Sequence, residues 1–252
     1  MKKLLFYSVF SAALLLTACT AKQWVLTDMQ GSKIALGAET EATADKEFKQ
    51  FLEPFKLQLG QQMNEVIGVA DQDMRGHKPE SLLSNWNADV FQQAASEWLG
   101  ETVETAIVNL GGLRTPIPAG PITVGKIYEL MPFENELVIL WLKGSDLEEL
   151  LQYFATIGGQ GVGGIRMRIQ QGKAIDIKIA GQPLEKDRVY TIATNDYLAE
   201  GNDYMVQLKR YVRRENSGIL IRDMLMNHIR RETAAGKTIT AKLEGRIVHE
   251  DN

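Results

Sequence analysis

The 252 residues hold 28 Lys and Arg against 32 Asp and Glu, a net charge of −4, with 8% aromatic residues and only Cys19 as a thiol. That balance is ordinary for a globular chain with one sizeable core, offers no basic excess to hold a nucleic-acid polymer, and excludes an intrachain disulfide.

Residues 1–19 begin with Lys2-Lys3, continue through an apolar run from Leu4 to Leu16 and end in Leu16-Thr17-Ala18-Cys19, the order of a secretory signal closing on a lipobox. The run is short for a membrane span of roughly 20 residues. The expectation is an exported lipoprotein, acylated at Cys19 and held at the periplasmic face or the cell surface. Residues 20–40 read as a tether in which Trp24-Val25-Leu26 and Ile34-Ala35-Leu36 form one short hairpin. A single domain is expected over 41–252.

Phe48, Phe51, Leu52, Phe55, Leu59 and Met63 recur at helical spacing, with Pro54 bending that helix or marking a turn in it. Pro79 opens a second helix whose apolar stripe runs from Leu82 through Trp86, Val90 and Phe91 to Trp98 and Leu99, ended by Gly100. Strands are expected at Ile107-Val108, over Ile122–Met131, at Leu137–Leu142, along the alternating Ile165–Ile169 and Ile175–Ile179, at Val189–Ala193, and as a closing strand at Thr238–Leu243. Helices are expected over Asp146–Ile157, behind a Ser145 or Asp146 cap, and over Ile219–Arg231. The elements do not alternate as a doubly wound parallel sheet requires, so the fold class is α+β, a single layered domain with a mixed sheet. The basic clusters Lys209–Arg214 and Arg230-Arg231 read as solvated faces, and Ser81, Ser84 and Ser145 as caps.

Three stretches carry candidate chemistry. Asn109-Leu110-Gly111-Gly112-Leu113-Arg114 follows a strand, and its Gly pair lets the backbone turn while an amide and a planar guanidinium flank it. By itself it reads as a strand-end turn beside a surface arginine. Pro132-Phe133 can hold a ring outward to stack on a planar ligand, with Asn135 on the same side in extended structure, or Phe133 can pack beneath Leu137 and Ile139. The third stretch is Thr194 to Asp203.

Together these resemble the C-terminal, substrate-binding domain of 5'-nucleotidases. The matching motifs are Asn109–Arg114, Ile122–Phe133, Leu142-Lys143-Gly144-Ser145-Asp146-Leu147 and Gly201-Asn202-Asp203-Tyr204, in family order, over about residues 45–245. The resemblance implies the fold of that domain type. It further implies that Asn109, Gly111, Gly112 and Arg114 face a nucleotide, that Phe133 is one wall of a base clamp, that Asn135 lies beside the base, and that Asp203, Tyr204 and Met205 border the site. The chain departs from the family where a second clamping ring is expected, since Met205 stands there and Tyr204 one position earlier. The stretch Gln207–Tyr211 lacks the carboxylate that holds the ribose, and the arginine expected before Pro79 aligns nearest His77 or Lys78, with Arg75 close by.

The 252 residues contain no counterpart of the metallophosphatase half that performs hydrolysis in that family. His77, His228 and His249 are too few for a two-metal centre and read as surface or structural groups. No cofactor is expected in this chain, and divalent metals are expected in a partner. The leading expectation is the nucleotide-binding half of a 5'-nucleotidase-like hydrolase, completed by a separate metallophosphatase chain and attached to the membrane through its lipid. The alternative is a stand-alone nucleotide- or nucleoside-binding lipoprotein. A third reading is a scaffold that no longer binds ligand.

Overall fold

The computed structural model describes residues 25–35, 37, 40 and 42–250. The expected signal segment and Cys19 lie outside the described residues. Residues 25–35 carry no regular structure, and Val25, Leu26 and Ile34 stay exposed, while Trp24 and Leu36 of the expected hairpin lie outside the described residues. Two units separate at Phe51/Leu52, inside helix α1 (Lys46–Met63), which continues through Pro54 and buries none of its side chains.

In the second unit, the two-residue period of the strands builds a core on each face of a five-stranded sheet. β4 (Glu136–Lys143) lies between β10 (Arg213–Leu220) and β9 (Val189–Asn195), antiparallel to both; β9 continues to β2 (Thr105–Val108) in parallel, and β5 (Gly161–Gly163) closes the edge. Ala106, Val108, Leu137, Ile139 and Ala193 point into one core with α2 (Leu82–Leu99) and α6 (Ile221–Ala234). Ile107, Val138, Leu140, Leu142 and Ile192 point into the other with α4 (Gly144–Thr156) and a second sheet, in which β6 (Ile165–Gln170) pairs with β7 (Lys173–Ile179) and β11 (Ile247–His249), and β7 with β8 (Gln182–Pro183). This is the layered α+β architecture with mixed sheets. A separate ribbon joins β1 (Val66–Ala70) to β3 (Gly120–Thr123).

Local chemistry sets several boundaries. Ser81 and Ser84 form a capping box, each side chain bonding the other's amide at 3.2 and 3.1 Å, so α2 begins after Ser81 and not at Pro79. Gly100 ends it in the left-handed region, and Trp98, in the last turn, is exposed and not part of the buried stripe. The expected strand Ile122–Met131 is a strand only to Thr123. There the Thr123 hydroxyl accepts from Lys126 N at 3.1 Å and caps α3 (Val124–Leu130), whose Val124, Ile127 and Leu130 are buried at helical spacing. α4 has no side-chain cap from Ser145 or Asp146. Its first amides are satisfied by the backbone, Gly144 N by Arg188 O at 2.7 Å and Ser145 N by Lys186 O at 2.9 Å. The expected closing strand Thr238–Leu243 makes one bridge, Ile239 to Ala70, with Ile239 N donating to Val69 O at 2.8 Å and Asp71 N to Ile239 O at 3.2 Å, and does not extend into a strand. The closing strand is β11.

Candidate functional site

The parallel pairing of β2 with β9 brings the ends of both strands to one edge of the sheet, and antiparallel β4 starts at that edge, with Leu137 opposite Asn195. The three stretches singled out in the sequence therefore converge. They enclose a cavity of about 310 Å³, at the lower end of small-molecule pockets, lined by Asn109, Gly111, Gly112, Arg114, Met131, Phe133, Asn135, Asn195, Tyr197 and Asp203.

Asn109 follows β2 in extended backbone and precedes a single 3₁₀ turn, Leu110–Gly112, whose Leu110 N is held by the buried Gln160 Oε1 at 3.0 Å. The Asn109 side chain does not cap this turn; its Nδ2 donates to Asp203 Oδ2 at 2.6 Å. Gly112 lets the Asn109 amide pack against the turn, because a Cβ there would lie 2.9 Å from Asn109 Oδ1 and push it aside. Arg114 is fixed through its backbone, N to Leu130 O at 2.9 Å, while its exposed guanidinium donates to Gly111 O at 3.2 Å and has no carboxylate partner among the described residues. It is a cation with donors to spare.

Phe133 lies in the loop between α3 and β4 and is 43% exposed, so its ring is not a core residue. Asn135 is held through Asp196, whose Oδ1 accepts from Asn135 Nδ2 at 2.8 Å, Glu136 N at 3.2 Å and Tyr197 N at 2.9 Å. Asn195 spends its carbonyl oxygen capping the short helix α5 (Asp196–Ala199) through Leu198 N at 2.7 Å.

After α5 the chain turns through Asp203 and Tyr204, both in the left-handed region at φ 53° and 62°. This pair of backbone angles places Asp203 in the cavity wall, leaves Tyr204 81% exposed, and buries Met205 completely beside Leu208 in the core shared with α4. Tyr204 and Met205, expected at the border of the site, do not line the cavity. An aromatic group not singled out from the sequence does. Tyr197 is 42% exposed, and its hydroxyl donates to Asp203 Oδ1 at 2.9 Å, a bond that raises the phenol above its usual range, with the carboxylate charge adding to it. Met131 and Asn195 also join the lining. The available signal was the Asn195-Asp196-Tyr197 sequence at the end of an apolar strand, an Asx cap followed by a ring. Arg75, His77 and Lys78 lie outside the lining, and Lys78 Nζ donates to Ile157 O at 2.6 Å.

The donor set suits an organic ligand with an anionic part. Its single carboxylate, Asp203, has an oxygen engaged by each of Asn109 and Tyr197, and no imidazole lines the cavity. These residues do not fit a divalent metal centre. Among the described residues no three His, Cys, Asp or Glu side chains gather as metal ligands, and no described helix is long and apolar enough to cross a membrane.

A family model described as 5'-nucleotidase, C-terminal domain, matches residues 65–210, a range that contains every lining residue. The chain is 28% identical over 244 aligned residues to the trifunctional nucleotide phosphoesterase protein YfkN of Bacillus subtilis, covering 88% of this chain and 16% of that protein. It is 26% identical to protein UshA of Yersinia enterocolitica, covering 77% and 36% respectively. The crystal structure of a 5'-nucleotidase precursor from Thermus thermophilus superposes with a TM-score of 0.70 at 27% identity, over 84% of this chain and 45% of that one. The chain spans less than half the length of each of these relatives. Fold, motif order and matched range agree, and the chain belongs to the 5'-nucleotidase C-terminal domain family.

Proposed function

We propose that this chain is the nucleotide-binding half of a 5'-nucleotidase-like phosphohydrolase acting in nucleotide catabolism, exported and anchored through acylated Cys19, with hydrolysis supplied by a separate metallophosphatase chain. The observation that carries this reading is the convergence of Asn109, Arg114, Phe133 and Asn135 on one cavity. Phe133 stacks the base and Asn135 reads its edge. Tyr197 supplies the second ring that Met205, buried in the core, does not. Arg114 holds phosphate or ribose oxygens through its unpaired donors. Divalent metals belong to the partner, where they activate water.

Three measurements test this. Residues 20–252 should bind adenosine and its monophosphate in calorimetry, release no phosphate with Mg²⁺, Mn²⁺, Co²⁺ or Zn²⁺, and support hydrolysis when an exported metallophosphatase lacking its own C-terminal domain is added. Binding that no such partner converts to hydrolysis favours the stand-alone binding lipoprotein. Metal-dependent hydrolysis by the repurified chain alone overturns the two-chain account, and failure to bind with or without the partner overturns the ligand assignment. Lipid labelling that survives Cys19→Ser overturns the anchor.

A further inference from the structure

The segment that carries Phe133 is poorly tethered by its own backbone. Pro132 has no N–H, and residues 132–134 make no backbone hydrogen bond among the described residues. The polar contact of this segment comes from the first turn of α6. Arg222, only 7% exposed, lays its guanidinium against the Tyr128 ring, Cζ to centroid 4.1 Å, and brings Nη2 to 3.7 Å from Glu134 Oε1. Tyr128 stands on α3 just before the loop and Glu134 just after Phe133. One planar cation thus spans both ends of the wall formed by Met131 and Phe133. Next to it, Ile221 N donates to Asn135 O at 2.9 Å, so the start of α6 also holds the residue beside the ring.

This arrangement is not the one that stability alone selects. Arg222 Nε is buried with no partner among the described residues, and Glu134, with its side chain 80% exposed, sits beyond charge-assisted hydrogen-bond distance. An apolar side chain would fill the same volume without burying a cation. What the guanidinium adds is a flat surface for Tyr128 together with a charge that draws in Glu134, two functions that neither Lys nor Met combines.

We propose that Arg222 is a positioning residue for the ligand cavity, pre-ordering the Phe133 wall by bridging Tyr128 and Glu134. The inference rests on the ligand reading given above, in which Phe133 stacks the base. Without the bridge, the ordering of the loop must be met at binding, and affinity falls although Arg222 is not among the cavity's lining residues.

The test uses the chain of residues 20–252 with 4-fluorophenylalanine at position 133, read by ¹⁹F NMR, alongside calorimetry with adenosine. Arg222→Met should sharpen the fluorine resonance, move it toward the solvent-exposed position, and weaken adenosine about tenfold, the size of effect that a desolvated cation–π contact and a lost pre-ordering supply. Glu134→Gln, a surface change that leaves the fold intact, should do the same to a smaller degree, about threefold, and add nothing in the Arg222→Met background. Arg222→Lys should not restore the wild-type resonance. If the resonance is unchanged in Glu134→Gln and in folded Arg222→Met, Arg222 is a packing residue and the proposal is overturned. The fluorine signal is read without ligand. A wild type that binds no adenosine, with or without the metallophosphatase partner, therefore refutes the ligand reading separately, and the positioning role is still decided.

Discussion

Asn109 and Asp203, 94 residues apart in the chain, meet through a 2.6 Å hydrogen bond from amide to carboxylate. With its second oxygen on the Tyr197 hydroxyl, Asp203 joins the Gly-Gly turn to α5 across the cavity wall. Asp203→Asn keeps a residue type tolerant of the left-handed backbone but removes the charge. The Tyr197 phenol, now raised mainly by its bond to that carboxylate, should titrate at lower pH in the variant. Because the wild-type phenol is raised, its contribution to stability is complete below about pH 10 and is lost as pH climbs through the folded value. Difference absorbance titrations against Tyr197→Phe, in wild type and in Asp203→Asn, isolate that one phenol. An unmoved titration would mean that the bond does not form.

Adjacent glycines in the first stretch should respond differently to the same substitution. A Cβ on Gly112 meets Asn109 Oδ1 at 2.9 Å, whereas on Gly111 the nearest atom, Asn109 Nδ2, is 3.8 Å away. Gly112→Ala should therefore displace the Asn109 amide from Asp203 and weaken ligand binding by about 1 kcal/mol, the worth of a hydrogen bond. Gly111→Ala should leave affinity within error. Equal effects at the two positions in calorimetry would contradict this geometry.

Stacking and ionic contacts should be separable. Phe133→Ala removes a half-exposed ring and should weaken adenosine and its monophosphate alike by about 1–3 kcal/mol, with little change in thermal stability. Arg114→Ala should weaken the phosphorylated or ribose-contacting part of the ligand and reduce the salt dependence of binding, since a guanidinium without a carboxylate partner is being removed. If Phe133→Ala lowers thermal stability and leaves both affinities unchanged, the ring is a packing group.

His228 offers a pH test remote from the cavity. Its ring lies edge-on to Trp86, centroids 6.2 Å apart, and burial depresses its pKa, partly countered by Glu232 and Glu97 and reinforced by Arg231 and Lys237. A depressed folded-state pKa means that the neutral ring stabilises the fold above the ordinary value of about 6.5, and that this contribution is lost as pH falls through the folded value. His228→Gln should flatten the fall of Tm between neutral pH and pH 5 relative to wild type. A slope identical to wild type would show that the imidazole is solvated.

Local sequence chemistry was sufficient wherever one period dominated. The continuous apolar run Leu137–Leu142 is the buried centre of β4, and the stripe from Leu83 to Phe91 is the buried face of α2. It misled where a cap or a partner decides. Val124–Leu130 reads as extended until the Thr123 hydroxyl closes on Lys126 N, and Thr238–Leu243 alternates correctly but pairs with β1 only at the Ile239–Ala70 bridge. In the site, Asn109, Arg114, Phe133 and Asn135 could be nominated because residue type and motif order mark them. Tyr197 and Met205 could not be told apart in the same way, since which of them faces the cavity depends on two left-handed backbone angles at Asp203 and Tyr204 that no side chain there announces.

The parallel seam between β2 and β9 has a kinetic consequence. Thr194 Oγ1 donates to Ile107 O at 2.9 Å across 87 residues, so closing the seam brings together two segments far apart in the chain. Such distant pairings are entropically late events in folding. During refolding, helical signal from α2 and α4 should return before any affinity for ligand does. The cavity wall therefore testifies to a finished topology: a chain misthreaded between Asn109 and Asp203 can regain its helices and still lack the contact with which these two residues close that wall.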